Sequence, residues 1–330
     1  MSRLLAYLAF AAGVSAHGLI LMTRGANGVI APGACVLDGT PRDCVVNACG
    51  SQADTGIIRD AEINRGKYGP LGWTQGGGNC KADAVISEYM GVGTAPTYKG
   101  GSNPTGKEDD LKSFGIQSRE EHSDERRAER REENRIVARQ NRGGNSIFSL
   151  PVIGVAGVGG NRTMYSVETI VGDYAGQGKT DGLPTTNDNG EIELVYRQVR
   201  VSALFSSLPR ETNIADLKVN EDGAGPLTAA VDPSSAGTNY KAFQSAKITQ
   251  NVPGDGFVGL SVATNTNFPI RVQVPDGTVC EGKVAGLDNV CFVRVRNQAF
   301  AGPFGGAGFF TQSATARKRA VAYRRRSMSN

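Results

Sequence analysis

The stretch FPIRVQVP, residues 268–275, decides the fold class because its apolar side chains fall at every second position. Ile270, Val272 and Val274 point to one face of an extended chain, since successive side chains of a β-strand alternate between faces. The neighbouring run VCFVRVRN, residues 290–297, alternates in the same way. Alternation of this kind predicts strands of an antiparallel sheet with one buried face.

Further strand-like runs lie on either side of this stretch. They are EIELVYRQV at 191–199, FQSAKITQNV at 243–252 and FVGLSVAT at 257–264, each bounded by turn residues. Glycine is abundant, with 44 of 330 residues, whereas aromatic residues make up only 7%. Several short strands with glycine-rich turns are typical of a sandwich. We therefore expect a mainly β fold, a secreted antiparallel β-sandwich-like body to which residues 17–98 and 185–316 both contribute.

The N-terminus has the organisation of a secretory signal peptide, MSRLLAYLAFAAGVSA. Arg3 supplies the positive start, an apolar run extends from Leu4 to Val14, and small residues follow it. The run is about half of the roughly 20 residues that a membrane-spanning helix needs. We therefore expect cleavage after Ala16, no membrane anchor afterwards, and a secreted chain, extracellular or in the cell wall, that begins at His17.

The middle of the chain differs from both β-rich parts. Before it, DAVISEYMGVG at 83–93 predicts a short N-terminal helix, because its apolar residues are three to four apart and Gly91 suits a helix end. Residues 99–184 are interpreted as a linker. Within it, residues 118–144 interleave acids and bases with almost no apolar face, so they cannot offset chain entropy by burial. We expect a charged, solvated or disordered insert and no nucleic-acid partner.

The C-terminus carries most of the excess charge. The net charge is +4, and six basic residues lie in the last fourteen positions. Residues 317–330 therefore form a basic tail rather than a binding face. Its clusters at 317–319 and 324–326 resemble sites for dibasic-cleaving secretory proteases, with a solvated tail as the alternative. One sequon, Asn161-Arg162-Thr163, predicts N-glycosylation at Asn161.

Six cysteines follow the signal peptide, an even number that favours disulfides in a secreted protein. Cys280 and Cys291 bracket CEGKVAGLDNVC, whose glycines and Asp-Asn pair suit a hairpin, so we expect them to pair. The other four allow three pairings, among which the sequence does not decide: Cys35, Cys44, Cys49 and Cys80. A zinc site is disfavoured because no CxxC spacing is present and neither histidine lies beside the cysteines.

Five longer stretches follow one another along the chain: DTGIIRDAEINRGKYGPLGWTQGGGNCKADAVISEYMG, NEDGAGPLTAAVD, TQNVPGDGFVGLS, CFVRVRN and AFAGPFGGAGFFTQS. Together they resemble the fungal appressorium virulence-factor family, also called the Egh-like family, of pathogenic fungi. The resemblance covers residues 17–98 and roughly 185–325. It implies a secreted virulence factor in appressorium-mediated host penetration. We expect its partner to be a polysaccharide or protein of the fungal cell wall or host surface. It implies no settled biochemical activity.

One segment interrupts the resemblance. Residues 200–219, RVSALFSSLPRETNIADLKV, separate VYRQV from NEDGAGP, two stretches that the resemblance would make nearly continuous. We interpret this segment as an insertion into a loop, and both a retained intron and a genuine loop extension would produce it.

Few residues suggest catalysis. Only two histidines are present, His17 and His122, so a serine or cysteine hydrolase lacks a credible base. The adjacent carboxylates at 109–110 and 221–222 are more typical of solvated turns than of a glycosidase pair. Trp73 is more simply explained by packing than by stacking on a sugar. We therefore assign no catalytic residue.

A second hypothesis is a copper-dependent polysaccharide monooxygenase-like protein that uses the mature N-terminal His17. Its α-amine and imidazole can chelate one ion, and Cu(II) favours tetragonal nitrogen sites. A third ligand would come from His122 or from a residue near Tyr196 or Tyr240. Arg197 directly follows Tyr196 and is a poor ligand because it stays protonated. We therefore favour a non-catalytic protein, with His17 as the candidate metal ligand and copper as the candidate cofactor.

Overall fold

Antiparallel strands dominate the part of the chain that the computed structural model describes, which is residues 17–42, 50–100, 161–162, 165–199, 225–252, 266–299 and 302–329. These residues contain the strands β1 (His17–Arg24), β2 (Ile30–Pro32), β3 (Gly56–Ile57), β4 (Trp73–Thr74), β5 (Gly78–Asn79), β6 (Asn161–Arg162), β7 (Glu191–Val199), β8 (Thr228–Asp232), β9 (Gln244–Gln250), β10 (Thr266–Gln273), β11 (Gly282–Val284), β12 (Leu287–Arg296) and β13 (Phe304–Phe310).

Helices are few within the same residues. They are α1 (Asp60–Asn64), α2 (Ala82–Tyr89), α3 (Ile170–Asp173), α4 (Gln177–Asp181) and α5 (Ala314–Ser329), with a 3-10 turn at Tyr240–Ala242. Helix α2 is the helix predicted from the sequence, and Gly91 after it has the left-handed φ of 71° that ends a helix. None of the helices in the described ranges is both long enough and apolar enough to cross a membrane.

The strands form a curled sheet in the order β2-β1-β7-β10-β9-β8-β12-β13-β3-β4-β5. Strand β6 pairs with β10, and β11 pairs with β12. Strands β1 and β13 are not hydrogen-bonded to each other, yet they pack together as the sheet curls. The predicted mainly β, antiparallel, sandwich-like body is therefore confirmed.

The alternation that predicts β10 is visible in its burial. Ile270, Val272 and Val274 are buried, whereas Arg271 between them is exposed. The same apolar cluster receives Tyr196 and other side chains from β1, β8, β12 and β13: Ile20, Val231, Val293, Val295 and Phe310. A second cluster packs α2 against β1 and β13 through buried residues that include Leu19, Val85, Ile86, Tyr89 and Phe309.

Glycines in β13 permit the close approach of β1. A Cβ atom placed on Gly306 would lie 2.7 Å from the backbone nitrogen of Ile20, and one on Gly308 would lie 2.2 Å from the hydroxyl oxygen of Thr23. Real side chains do not tolerate such distances without a backbone shift. The glycine-rich sequence FGGAGFF is therefore required by the packing of two backbones against each other.

Two disulfides lie within the described residues. Cys280 is joined to Cys291, the pairing expected from the sequence, and Cys35 is joined to Cys80 across a separation of 45 residues. The structure thus identifies one disulfide, Cys35–Cys80, among the four cysteines whose pairing the sequence left open. Cys44 and Cys49 lie outside the described residues.

The interpretation of residues 99–184 as a linker needs a correction at its C-terminal end. Residues 165–184 belong to the folded body, where α3 and α4 pack against α2. Short helices at Ile170 and Gln177 carry few apolar residues, which is why their periodicity is weak in the sequence. Residues 317–329 belong to a helix, α5, and four of its six basic residues are exposed. Residues 118–144 and 200–219 lie outside the described residues.

Candidate functional site

His17 opens strand β1 and is almost completely covered. Its exposed fraction is 1%, and its ring lies 3.9 Å from the ring of Phe304 on β13, measured between centroids. In the register of β1 and β7, His17 lies opposite Val199. The candidate metal ligand is therefore packed against an aromatic ring at the start of a paired strand.

The register also shows which side chains share the face of His17. Leu19 lies opposite Arg197, so Arg197 is the diagonal neighbour of His17 on that face, about 7–8 Å away between Cα atoms. Asn267 of β10 lies opposite Arg197 and so shares the same face. Tyr196 points to the other face, because neighbouring strand residues alternate.

Tyr196 and Tyr240, both considered above as positions near a third metal ligand, have other environments. The buried hydroxyl of Tyr196 covers Gly18, where an added Cβ would lie only 2.0 Å from the oxygen. The hydroxyl of Tyr240 donates to the Asp60 carboxylate at 2.9 Å. Tyr196 lies on the face of the sheet opposite to that of His17, and the Tyr240 hydroxyl is engaged by Asp60. His122 lies outside the described residues.

Arg197 ends a chain of buried ionisable side chains. Its guanidinium lies over the ring of Tyr165, at 4.5 Å from the centroid, and its Nη1 donates to the Tyr165 hydroxyl. That hydroxyl donates to Glu168 at 2.8 Å, and the same carboxylate oxygen accepts from Nε of Arg42 at 3.0 Å. Arg42 in turn holds Asp54 with two hydrogen bonds, at 2.9 and 2.5 Å.

This ionic chain, Asp54–Arg42–Glu168–Tyr165–Arg197, balances two guanidinium groups against two carboxylates. Burial raises the pKa of Tyr165 above its ordinary value, so the phenol stays protonated. Burial opposes the charge of Arg42, but the carboxylates of Asp54 and Glu168 outweigh it and raise its pKa. Burial also raises the pKa of Asp54, an effect that Arg42 opposes, and lowers the pKa of Arg197.

Arg197 is less completely paired than Arg42. Its Nε and Nη2 atoms, and Oδ1 of Asn267 opposite it, are buried without a hydrogen-bond partner among the described residues. A guanidinium stays protonated and repels a nearby cation. Within the described ranges no three histidine, cysteine, aspartate or glutamate side chains come together as a metal group. Among the described polar side chains that share the face of His17, Arg197 therefore does not fit as a copper ligand.

Two further residues considered in the sequence analysis, Trp73 and Asn161, lie in described parts of the chain. Trp73 is half-buried, stacks on Tyr68 with ring centroids 4.6 Å apart, and donates to Glu62 at 2.9 Å, in keeping with a packing role. Asn161 opens β6 opposite Asn267. Its glycosylation stays a prediction.

The ionic chain itself has no sequence signature. Arg42 and Glu168 are separated by 126 residues, and neither lies in a recognisable motif. A lone arginine or glutamate in a loop is ordinarily exposed, so nothing marks these residues as a buried pair. Only Arg197, an arginine inside the apolar strand EIELVYRQV, carries a hint of burial in the sequence.

The described residues form a glycine-rich antiparallel sandwich with two disulfides and a buried ionic chain that ends at Arg197, and these features are those of a small extracellular β protein. The chain belongs to the Egh16-like virulence factor family, whose family model matches residues 15–305. No solved structure matches it significantly.

Two relatives are from the fungus Pyricularia oryzae. The chain is 41% identical to the appressoria-specific virulence factor GAS2 over 316 residues, which is 96% of this chain and 90% of the relative. It is 37% identical to the appressoria-specific virulence factor GAS1 over 135 residues, which is 39% of this chain and 52% of that relative. The family expected from the sequence is thereby confirmed.

Proposed function

We propose that this protein is a secreted virulence factor that acts in appressorium-mediated host penetration, without catalysis, by binding at the fungal cell wall or the host surface. The similarity to GAS2 over 96% of the chain supports the role in virulence. The two disulfides and the signal-like N-terminus support an extracellular location.

One observation favours a non-catalytic mechanism. The side chain that shares the face of His17, where an oxidative copper enzyme would need another ligand, is the guanidinium of Arg197. Its guanidinium lies over the Tyr165 ring and donates to the Tyr165 hydroxyl, at the end of the ionic chain. His17 is then a packing residue against Phe304, left at the terminus by cleavage of the signal peptide.

The first experiment measures copper binding and oxidation with material whose N-terminus has been sequenced. It should read His-Gly-Leu-Ile. We expect wild-type protein and the His17→Ala variant to lose Cu(II) equally to a competing chelator. We also expect neither to release oxidised sugars from cellulose or chitin in the presence of a reductant. The Arg197→His variant is a control, because replacing the cation with imidazole should strengthen copper binding.

The opposite result is equally clear. Tight stoichiometric copper binding that is lost in His17→Ala, with reductant-dependent release of oxidised sugars, would make the protein an enzyme. Recovery of secreted protein that still carries Met1 would contradict the signal peptide.

The second experiment tests virulence directly in the fungus that produces the protein. Deletion of the gene should reduce penetration from appressoria, and both the wild-type gene and the His17→Ala gene should restore it. Restoration by the wild-type gene alone, with the variant secreted at the same level, would show that His17 has an active role.

A further inference from the structure

Helix α5 gives the folded body a concentrated positive charge. It carries six basic residues and no acidic residue: Arg317, Lys318, Arg319, Arg324, Arg325 and Arg326. The helix is docked by its buried Ala316 and Ala320. A C-terminal helix that is anchored in this way presents its charges in fixed positions, unlike a flexible tail.

Three arginines fasten the helix to the body, and they mostly use backbone oxygens. Arg317 donates to the carbonyl of Cys280 at 2.8 Å and Arg319 to the carbonyl of Asp188 at 2.6 Å. Arg324 forms an ion pair with Glu281 at 2.9 Å. A carbonyl oxygen does not neutralise a cation, so the contacts of Arg317 and Arg319 leave the charges of these two side chains in place.

A surface groove of about 330 Å³ lies between α5 and the turn that connects β10 to β11. Its helix side is formed by Arg319, Tyr323 and Arg326, which are four and three residues apart and so share one side of the helix. The two arginines are separated by about 10 Å along the helix axis. Asn189 and Gln273 line the opposite side, and Nε2 of Gln273 donates to the carbonyls of Asn189 and Val274 at 2.9 and 3.2 Å.

The groove therefore combines guanidinium groups, an aromatic ring and neutral amides. The Tyr323 side chain is 53% exposed and covers Gly277, where a Cβ would lie 2.9 Å from the ring. Asp276 also lines the groove and is its acidic member, placed on the turn. Guanidinium groups pair with carboxylates in a bidentate manner, and aromatic rings contact apolar faces.

We propose that this groove binds an acidic polysaccharide, a chain of pyranose sugars that carry carboxylates. The carboxylates pair with Arg319 and Arg326, a sugar ring lies on Tyr323, and the amides and Asp276 hydrogen-bond to hydroxyls. The spacing of the two arginines requires a ligand longer than one sugar.

A lipid surface fits the same charges less well. Insertion into a bilayer needs an apolar helix face, and the small apolar face of α5 at Ala316 and Ala320 is already buried against the body. The proposal names a partner for the surface role put forward above and rests on it for its biological meaning. The family match ends at residue 305, before α5 begins, so family membership does not supply the argument.

The test measures binding of full-length secreted protein, whose intact mass shows that α5 is retained. The probe is an oligomer of galacturonate, and the control ligand is the same oligomer with methyl-esterified carboxyl groups. We expect binding of the acidic oligomer that weakens as salt is raised, and at least tenfold weaker binding of the esterified one.

Two double variants with equal loss of charge separate the groove from general electrostatic attraction. Arg319→Gln with Arg326→Gln changes the groove, whereas Lys318→Gln with Arg325→Gln changes cations of the same helix that do not line it. We expect about a tenfold loss of affinity for the first and less than a threefold loss for the second. Tyr323→Leu, which keeps the charge, should also weaken binding. Melting temperatures check that each variant is folded.

The alternatives give different results. Equal losses in the two double variants would overturn the groove and leave non-specific attraction. Preference for vesicles that contain anionic phospholipid over the oligomer would overturn the choice of partner. A secreted form that ends before residue 319 would remove the site. Because these measurements involve neither infection nor copper, their failure is distinguishable from failure of the proposed virulence role.

Discussion

Arg42 and Arg197 belong to the same ionic chain, yet they differ in pairing. Both are essentially fully buried. Arg42 uses Nε on Glu168, and Nη1 and Nη2 on Asp54, with Nη1 also on the carbonyl of Ser51. Arg197 donates through Nη1 to Tyr165, and its Nε and Nη2 atoms are buried without a hydrogen-bond partner among the described residues. The two residues therefore contribute differently to stability.

Replacement of each arginine by methionine tests this difference. Arg42→Met leaves two buried carboxylates uncompensated and should lower the free energy of unfolding by about 3–5 kcal/mol. Arg197→Met removes a charge that is only partly paired, and Tyr165 keeps its bond to Glu168, so the change should be within about 1 kcal/mol. Urea unfolding at neutral pH measures both. An equally large loss for Arg197→Met would contradict this expectation and would mean that its charge is needed to balance the two buried carboxylates.

The Asp60–Arg296 ion pair should contribute to the stability of the folded state in a way that depends on pH. The two hydrogen bonds from Arg296, at 2.7 and 2.8 Å, lower the pKa of Asp60 below its ordinary value of 3.8. A carboxyl whose folded pKa is lowered stabilises the folded state above its unfolded pKa, and the contribution disappears as the pH falls through the folded value.

Arg296→Gln should therefore be less stable than wild type at pH 7. The difference between the two proteins should narrow as the pH is lowered below about 3.8. Denaturant unfolding at several pH values measures it, and Arg271→Gln, at an exposed pair with Glu193, serves as a weaker comparison. A difference that is independent of pH would show that Arg296 acts through packing or its bond to the Ile58 carbonyl.

At the scale of single elements, β13 shows why a glycine-rich strand can lie at the centre of a core. The Gly306→Ala variant would bring a methyl group 2.7 Å from a backbone atom of β1, and a backbone cannot move aside as a flexible side chain can. We expect a loss of about 2–3 kcal/mol in the free energy of unfolding.

Gly69→Ala is the matched control for this prediction. Nothing lies within 4 Å of its added methyl group, and Gly69 is not in the left-handed region. The control should change stability by less than about 1 kcal/mol. Equal effects of the two substitutions in thermal and urea unfolding would contradict the proposed contact between β1 and β13.

How far the sequence predicts an element depends on whether its signal is local. Alternation in β10 and the end of α2 at Gly91 are properties of neighbouring residues, and both are predicted correctly. The short helix α3 and the ionic chain depend on contacts between distant residues. Glu168 is buried because Arg42 reaches it from far along the chain. Such a contact leaves no periodic pattern in the sequence. From the sequence, Glu168 is therefore assigned to a linker.

At the scale of the whole molecule, the question is whether residues 200–219, which lie in sequence between β7 and β8, can be deleted. The order β7-β10-β9-β8 consists of antiparallel neighbours. Because the direction reverses at each step, the end of β7 and the start of β8 lie at the same edge of the sheet. They are three strand spacings apart, which is about 15 Å along a sheet.

Deletion of residues 200–219 should therefore be tolerated. Strand β7 ends at Val199 and β8 begins at Thr228, so residues 220–227 would remain to connect them. This remnant spans up to about 26 Å when extended, more than the distance required. A shorter loop lowers the entropy of the unfolded chain, so the deletion variant should unfold at the same or higher temperature, with a gain of about 1 kcal/mol.

The deletion variant is compared with wild type by secretion yield, circular dichroism and thermal unfolding. Removal of β9 is the control, and it should abolish folding. A deletion variant that is not secreted, or that melts well below wild type, would mean that residues 200–219 are required by the body and are not an insertion. Transcript sequencing separates the two origins of a tolerated segment. Reads that always include it identify a loop extension, because a retained intron would be absent from spliced messages.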